Sequence, residues 1–209
     1  MTHIQPTIIG RSSSHFTRVT RIFAAELDLP YKFEVVPDLM SLSVESYASN
    51  PALRVPILRT ASGEWFGALS ICRELARLST PKLNIVWPEH LDKSLLSNAQ
   101  ELALQAMATE VTLIMAGFAK VEAGNSFVMK YRAGLINSVR WLEQYASQFI
   151  DELPPDRKLS FLEVCLYCLV THLEFRKILP MSEYADLNAF VTAFAGRPSV
   201  QATEYCFDR

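Results

Sequence analysis

No cysteine occurs in the first 71 residues of this 209-residue chain; the four present are Cys72, Cys165, Cys168 and Cys206. That sparse usage implies a reduced, cytoplasmic protein rather than a disulfide scaffold. No run of lysine or arginine stands out, and the net charge is −2. The electrostatic footprint of a nucleic-acid or anionic-membrane partner is therefore missing. No uninterrupted apolar run reaches about 18 residues, so no membrane-spanning helix is expected. The opening Met1-Thr2-His3-Ile4-Gln5-Pro6 has no basic segment leading into a long apolar run, so no signal peptide is expected. Internal repeats and low-complexity tracts are absent as well. What remains is a chain that is 50% hydrophobic, enough for a sizeable core in one large domain or two small ones.

The first 80 residues alternate between strand and helix patterns. Pro6 to Gly10 reads as a short buried strand. Ser12-Ser13-Ser14 then offers N-cap chemistry for a helix to about Leu27, with Phe16, Val19, Ile22, Phe23 and Leu27 on one side. Leu29-Pro30 ends it, and Tyr31 to Val36 alternates like a strand. Residues 40–49 suggest a short helix, poorly patterned, before Asn50-Pro51. Val55 to Leu58 and Glu64 to Phe66 form a hairpin about Ala61-Ser62-Gly63. Gly67 to Leu78 is a helix. The predicted order is β-α-β-α-β-β-α over residues 1–80, with a proline-marked linker at 81–90 and an all-helical domain over 91–209. In that second part, Ser160 with Glu163 forms an expected capping box and Leu159 with Val164 a hydrophobic staple. A later helix, 184–195, is expected to stop at Gly196 as its C′ residue, with Pro198 just beyond.

A strand opening on Val55-Pro56 is physically unusual, because proline donates no ladder hydrogen bond. A cis bond there would turn the Val55 amide and carbonyl outward, where a peptide-like ligand can pair with them as an extra strand.

The Ser-containing loop before Arg18, Asp28-Leu29-Pro30-Tyr31, Asn50-Pro51, Arg54-Val55-Pro56-Ile57-Leu58, Ile71 with Leu75, Trp87-Pro88, the helix at Ser160 and Arg197-Pro198-Ser199-Val200 occur in an order that resembles the glutathione transferase superfamily. The resemblance covers nearly the whole chain. It implies a thioredoxin-like N-terminal domain, a helical-bundle C-terminal domain that helps form a second-substrate pocket, and a homodimer. It also implies glutathione as co-substrate, conjugated to a small hydrophobic electrophile, and no metal. An isomerase or dehalogenase acting through a glutathione adduct is a close variant.

In that setting the resemblance assigns roles. A thiol is mostly protonated at neutral pH, and a donated hydroxyl beside a helix N-terminus favours the thiolate. No Tyr precedes residue 31 and no Cys precedes residue 72, so the serine-type, bacterial-like version is implied, with Ser14 as donor and Ser13 as its nearest substitute. Arg54 matches a basic position that reaches the glycyl carboxylate, and a guanidinium fork suits that task. Val55 would pair with the cysteinyl unit and Pro56 would hold it there. Met107, Met115 and Phe118 are candidates to line the apolar pocket. The sequence departs from the pattern at Gly67-Ala68, where the family usually has Glu-Ser at the γ-glutamyl end. The free N–H groups of the helix start remain, but at least one charge-assisted bond is lost, worth roughly 1.5–3 kcal/mol. That loss supports an alternative: a non-catalytic binding or interaction module with weakened glutathione binding. Cys165 and Cys168 have C-x-x-C spacing with His172 following, and core packing is the simpler reading; His15 adjoins Ser14 as a candidate base, but a side chain adjacent to it on a helix start points elsewhere.

Overall fold

The computed structural model describes residues 5–208. Its chain divides into two compact units: Asn84–Ala195 form one, and the described residues up to Leu83 and from Gly196 onward form the other. The helical part was expected to run on to residue 209; instead the segment from Gly196 returns to the first unit.

The first unit is built on a sheet of β1 (Thr7–Gly10), β2 (Lys32–Val35), β3 (Ile57–Thr60) and β4 (Gly63–Phe66), in the spatial order β2-β1-β3-β4. β1 and β2 run parallel, joined through helix α1 (His15–Glu26), the crossover connection that parallel strands need. β3 is antiparallel to both β1 and β4, and α2 (Ala68–Leu78) follows β4. The expected β-α-β-α-β-β-α order holds, except that the second helix is reduced to a 3-10 turn at Val44–Tyr47. Its pattern was weak because a single 3-10 turn has no room for a repeating apolar stripe.

Register sorts the sheet into two faces. Ile8 sits opposite Leu58, and Ile9 opposite Ile57; successive residues point to opposite sides. Ile8 and Leu58 are fully buried, as are Val19, Ile22 and Phe23 of α1 and Ile71 and Leu75 of α2. On the other face Ile9 and Ile57 cluster with Val36 and Tyr47, and Leu39, Ala48, Leu53 and Val55 pack against them. The loop from residue 36 to 55 is thus tied down by its own apolar side chains. Gly10 marks the close approach of α1 to β1: a Cβ there would lie 2.4 Å from Thr17 Oγ1.

The second unit holds α3 (Ser94–Phe118), α4 (Ser126–Glu152), α5 (Phe161–Phe175) and α6 (Ala185–Phe194). The expected linker carries a two-residue strand, β5 (Ile85–Val86), pairing in parallel with β6 (Leu159–Ser160). α5 is buried on every side through its first ten residues, as a helix apolar all round must be. Its expected capping box does not form. Ser160 makes no side-chain cap, and Glu163 instead takes a two-pronged ion pair from Arg157, 2.7 and 2.8 Å. The staple residues Leu159 and Val164 are both fully buried. Gly196 is not among the glycines with positive φ, so the expected left-handed stop of α6 is absent; Pro198 opens the short α7 (Pro198–Gln201) at its first turn. Among the described residues, α3 has the length and mean hydropathy, 1.2, of a membrane span, though only 22% of that window is buried.

Candidate functional site

Sheet topology brings three loops of the first unit to one end. β1 ends at Gly10, where Ile9 pairs with Ile57, the first residue of β3; Ile57 pairs in turn with Phe66, the last residue of β4. The loop carrying Ser12 to Ser14, the approach to β3 carrying Arg54 to Pro56, and the Gly67-Ala68 start of α2 therefore leave the sheet side by side. Strands lie about 4.8 Å apart, so β1 to β4 spans about 10 Å. An extended tripeptide has about that length.

Ser14 is the N-cap of α1, in extended conformation, and its Oγ accepts the Thr17 N–H at 3.3 Å. Capping uses an oxygen lone pair; the hydroxyl hydrogen can still donate to an anion. The helix dipole favours negative charge at this point. Ser13 is buried at 4% exposure, whereas Ser14 is only half-buried, so Ser14 is the more accessible hydroxyl. His15 is fully buried, with its ring edge-on to Phe16 at 4.7 Å. It is placed in the core and not at the surface beside Ser14.

The Val55–Pro56 bond is cis, as the sequence pattern suggested. Val55 lies outside the ladder, which begins at Ile57, while its side chain packs on the Ile9–Tyr47–Ile57 cluster. Asn50 shapes the approach to it. Its buried amide donates to the Arg54 carbonyl at 2.7 Å and accepts the Ala52 N–H at 3.0 Å. Sequence reading placed Asn50 only as part of a pattern; an Asn directly before Pro is a turn signal that could have given it this role. Arg54 is exposed.

The start of α2 is different. Gly67 has φ +82° and offers no side-chain cap, and Ala68, the first helical residue, is 8% exposed. Ser70 is exposed one turn in, on the edge of a shallow depression of about 320 Å³ shared with Trp65, Arg73, Glu74 and Arg77.

The proposed pocket residues differ in exposure. Met107 is fully buried in the core of the second unit, Met115 is half-buried, and Phe118 is 62% exposed at the end of α3. Cys165 and Cys168 are fully buried. Burial, then the neighbouring Cys168, pushes the Cys165 thiol well up, against the smaller opposing effect of a hydrogen bond with Gln100, so it is held as an inert thiol. His172 does not serve Cys168: its Nδ1 meets Glu110 Oε1 at 2.8 Å and its Nε2 accepts from Arg176 at 3.4 Å.

Residues 13–78 match the family model of the glutathione S-transferase N-terminal domain. No curated protein sequence matches the chain. Among solved structures, a glutathione S-transferase from Methylobacillus flagellatus KT, with GSH bound, is 20% identical, with a TM-score of 0.78 and coverage of 96% of this chain and 100% of its own. A glutathione transferase family member from Pseudomonas fluorescens Pf-5, with bound glutathione, is 18% identical, with a TM-score of 0.76 and coverage of 96% and 99%. Glutathione transferase Omega 3C from Trametes versicolor is 15% identical, with a TM-score of 0.68 and coverage of 99% and 91%. Residues 13–78 are thus matched to the N-terminal domain of that family, and the chain as a whole has the fold of these solved structures.

Proposed function

We propose that the chain binds glutathione along the shared end of β1, β3 and β4 and conjugates its thiolate to a small hydrophobic electrophile. The observation that carries this reading is the alignment of Ser14, Val55 and the α2 start along about 10 Å of sheet edge. Ser14 donates its hydroxyl hydrogen to the sulfur, favouring the thiolate. Val55 pairs through its backbone with the cysteinyl unit beside Pro56. Arg54 takes the glycyl carboxylate, and the N–H groups of Ala68 and its successors take the γ-glutamyl carboxylate. The thiolate then attacks the electrophile: a carbon–sulfur bond forms, the leaving group departs with its electron pair, and the thiol proton passes to solvent. Met115 and Phe118 remain candidates for an apolar pocket; Met107 serves packing.

The four cysteines are free, which suits a reducing, cytoplasmic setting. A homodimer is supported by α3, an apolar helix in whose most apolar stretch only 22% is buried. Sedimentation equilibrium tests this; a monomer at micromolar concentration contradicts it.

The bare Gly67-Ala68 start favours a second reading, a non-catalytic module that has lost its grip on glutathione. Titration calorimetry separates the two. Binding tighter than about 1 mM, −4.1 kcal/mol, supports the enzyme; no heat at high ligand supports the module. Ser14→Ala should lower kcat by about 10- to 100-fold while glutathione binding is kept, the effect of losing a hydrogen bond to a charged group. Unchanged turnover removes Ser14 from the chemistry.

A further inference from the structure

We propose that Asp208 is a positioning residue for the Ser12–Ser14 loop, holding it through the Ser12 N–H and the Arg11 side chain. The inference rests on the reading of Ser14 as the hydroxyl that stabilises the thiolate.

The segment from Arg197 onward runs along α1 as a strap with three attachments. At the far end of α1, Glu26 receives Arg197 at 3.0 Å and the Ser199 hydroxyl. In the middle, the buried Arg18 guanidinium lies over the Tyr205 ring at 4.3 Å and donates to the Val200 carbonyl at 3.2 Å. At the near end, the Asp208 carboxylate accepts the Ser12 N–H at 2.8 Å and meets Arg11 Nε at 3.1 Å. Both side chains of that last pair are largely buried, 17% and 10% exposed, where an ion pair is less screened than at the surface.

Arg11 joins this contact to the rest of the sheet end. Its Nη1 donates to the Val36 and Pro37 carbonyls at 3.0 and 2.9 Å, and its Nη2 reaches the Asp208 carbonyl at 3.4 Å. The turn itself is closed by Ser14 N–H to the Arg11 carbonyl at 3.0 Å. Ser12 therefore sits inside a turn whose two ends are Arg11 and Ser14, and Asp208 grips both Arg11 and the centre. An amide at that position must otherwise find water or go unpaired. Fixing it fixes the direction in which the Ser14 hydroxyl leaves the turn, and hydroxyl direction governs how well a donor meets sulfur.

The test uses the full chain with glutathione and 1-chloro-2,4-dinitrobenzene. Asp208→Ala should lower kcat about tenfold, the value of one charge-assisted hydrogen bond, with the KM for the electrophile unchanged. Asp208→Asn, whose amide oxygen still accepts the Ser12 N–H, should recover to within about threefold of the parent. In a Ser14→Ala background Asp208→Ala should cost nothing further, since the group it aims is gone. Amide hydrogen exchange at Ser12 should speed up in Asp208→Ala by about tenfold. The proposal is overturned by a kcat within twofold of the parent, by an equal loss in the Ser14→Ala background, or by unchanged exchange at Ser12. If the parent protein shows no turnover at all, the conjugation reading fails; the exchange measurement still decides whether Asp208 holds the loop. Should Asp208→Ala not fold, Asp208→Ser, whose shorter side chain falls short of the Ser12 N–H, carries the same comparison with the same thresholds.

Discussion

Two helices begin at the same end of one sheet, and they begin in opposite ways. α1 opens on Ser14, in extended conformation, with its hydroxyl closing on Thr17 N–H. α2 opens on Gly67, at φ +82°, with no side chain to offer. The first start is built from side chains and held by a turn, an ion pair and a cap. The second is bare backbone. For an anionic ligand lying across both, α1 supplies a directed hydrogen bond and α2 supplies only oriented N–H groups. Recognition of such a ligand would thus be weighted toward the β1 and β3 side, where Ser14, Asn50 and Val55 stand, and thin at β4.

The heaviest blow to that balance should be Asn50→Ala. It removes two hydrogen bonds from the strong side and leaves the Arg54 carbonyl and the Ala52 N–H to find new partners. Stability should fall by about 3 kcal/mol, and glutathione binding by about 100-fold; thermal unfolding and calorimetry read the two. A protein that keeps both would show that the turn is self-supporting. Next in size is a gain on the weak side. Ala68→Ser adds a hydroxyl beside the helix start and should tighten glutathione about tenfold. An unchanged dissociation constant would place the γ-glutamyl carboxylate elsewhere. Smallest is Gly67→Ala. A Cβ there meets nothing within 4 Å, so only the positive φ opposes it. The cost should be about 1 kcal/mol of stability with binding unaffected, measured by denaturant unfolding. The same strain argues against restoring a glutamate at residue 67 as a route to tighter binding.

The strong side was legible because its signals are local. Ser12 to Ser14 before an apolar periodicity, a proline at a strand start and Asn50-Pro51 each act within a few residues, so the elements and the three loops could be placed from the chain alone. Signals that depend on a distant partner misled or stayed silent. Ser160 and Glu163 have capping-box spacing, yet Arg157 captures the glutamate. β5 and β6 are two residues each, too short to leave a pattern, and their pairing crosses more than seventy positions. Helical periodicity put Met107 on a stripe of α3 without saying that this stripe faces inward. Nothing local announces that Asp208 returns to Ser12, because an aspartate near a chain end has no spacing to read.

The exposed residues at the rim of the proposed site are rooted in a core that does not need them. Arg54, Gly67 and Ser70 are exposed, whereas Ile8, Ile57 and Leu58, a few positions away, are fully buried. Folding and selectivity are thereby separable: a combinatorial library at positions 54, 67 and 70 should return mostly folded variants with divergent preferences. Such a scaffold can trade one ligand for another by edits at its rim, and its interior need never be renegotiated.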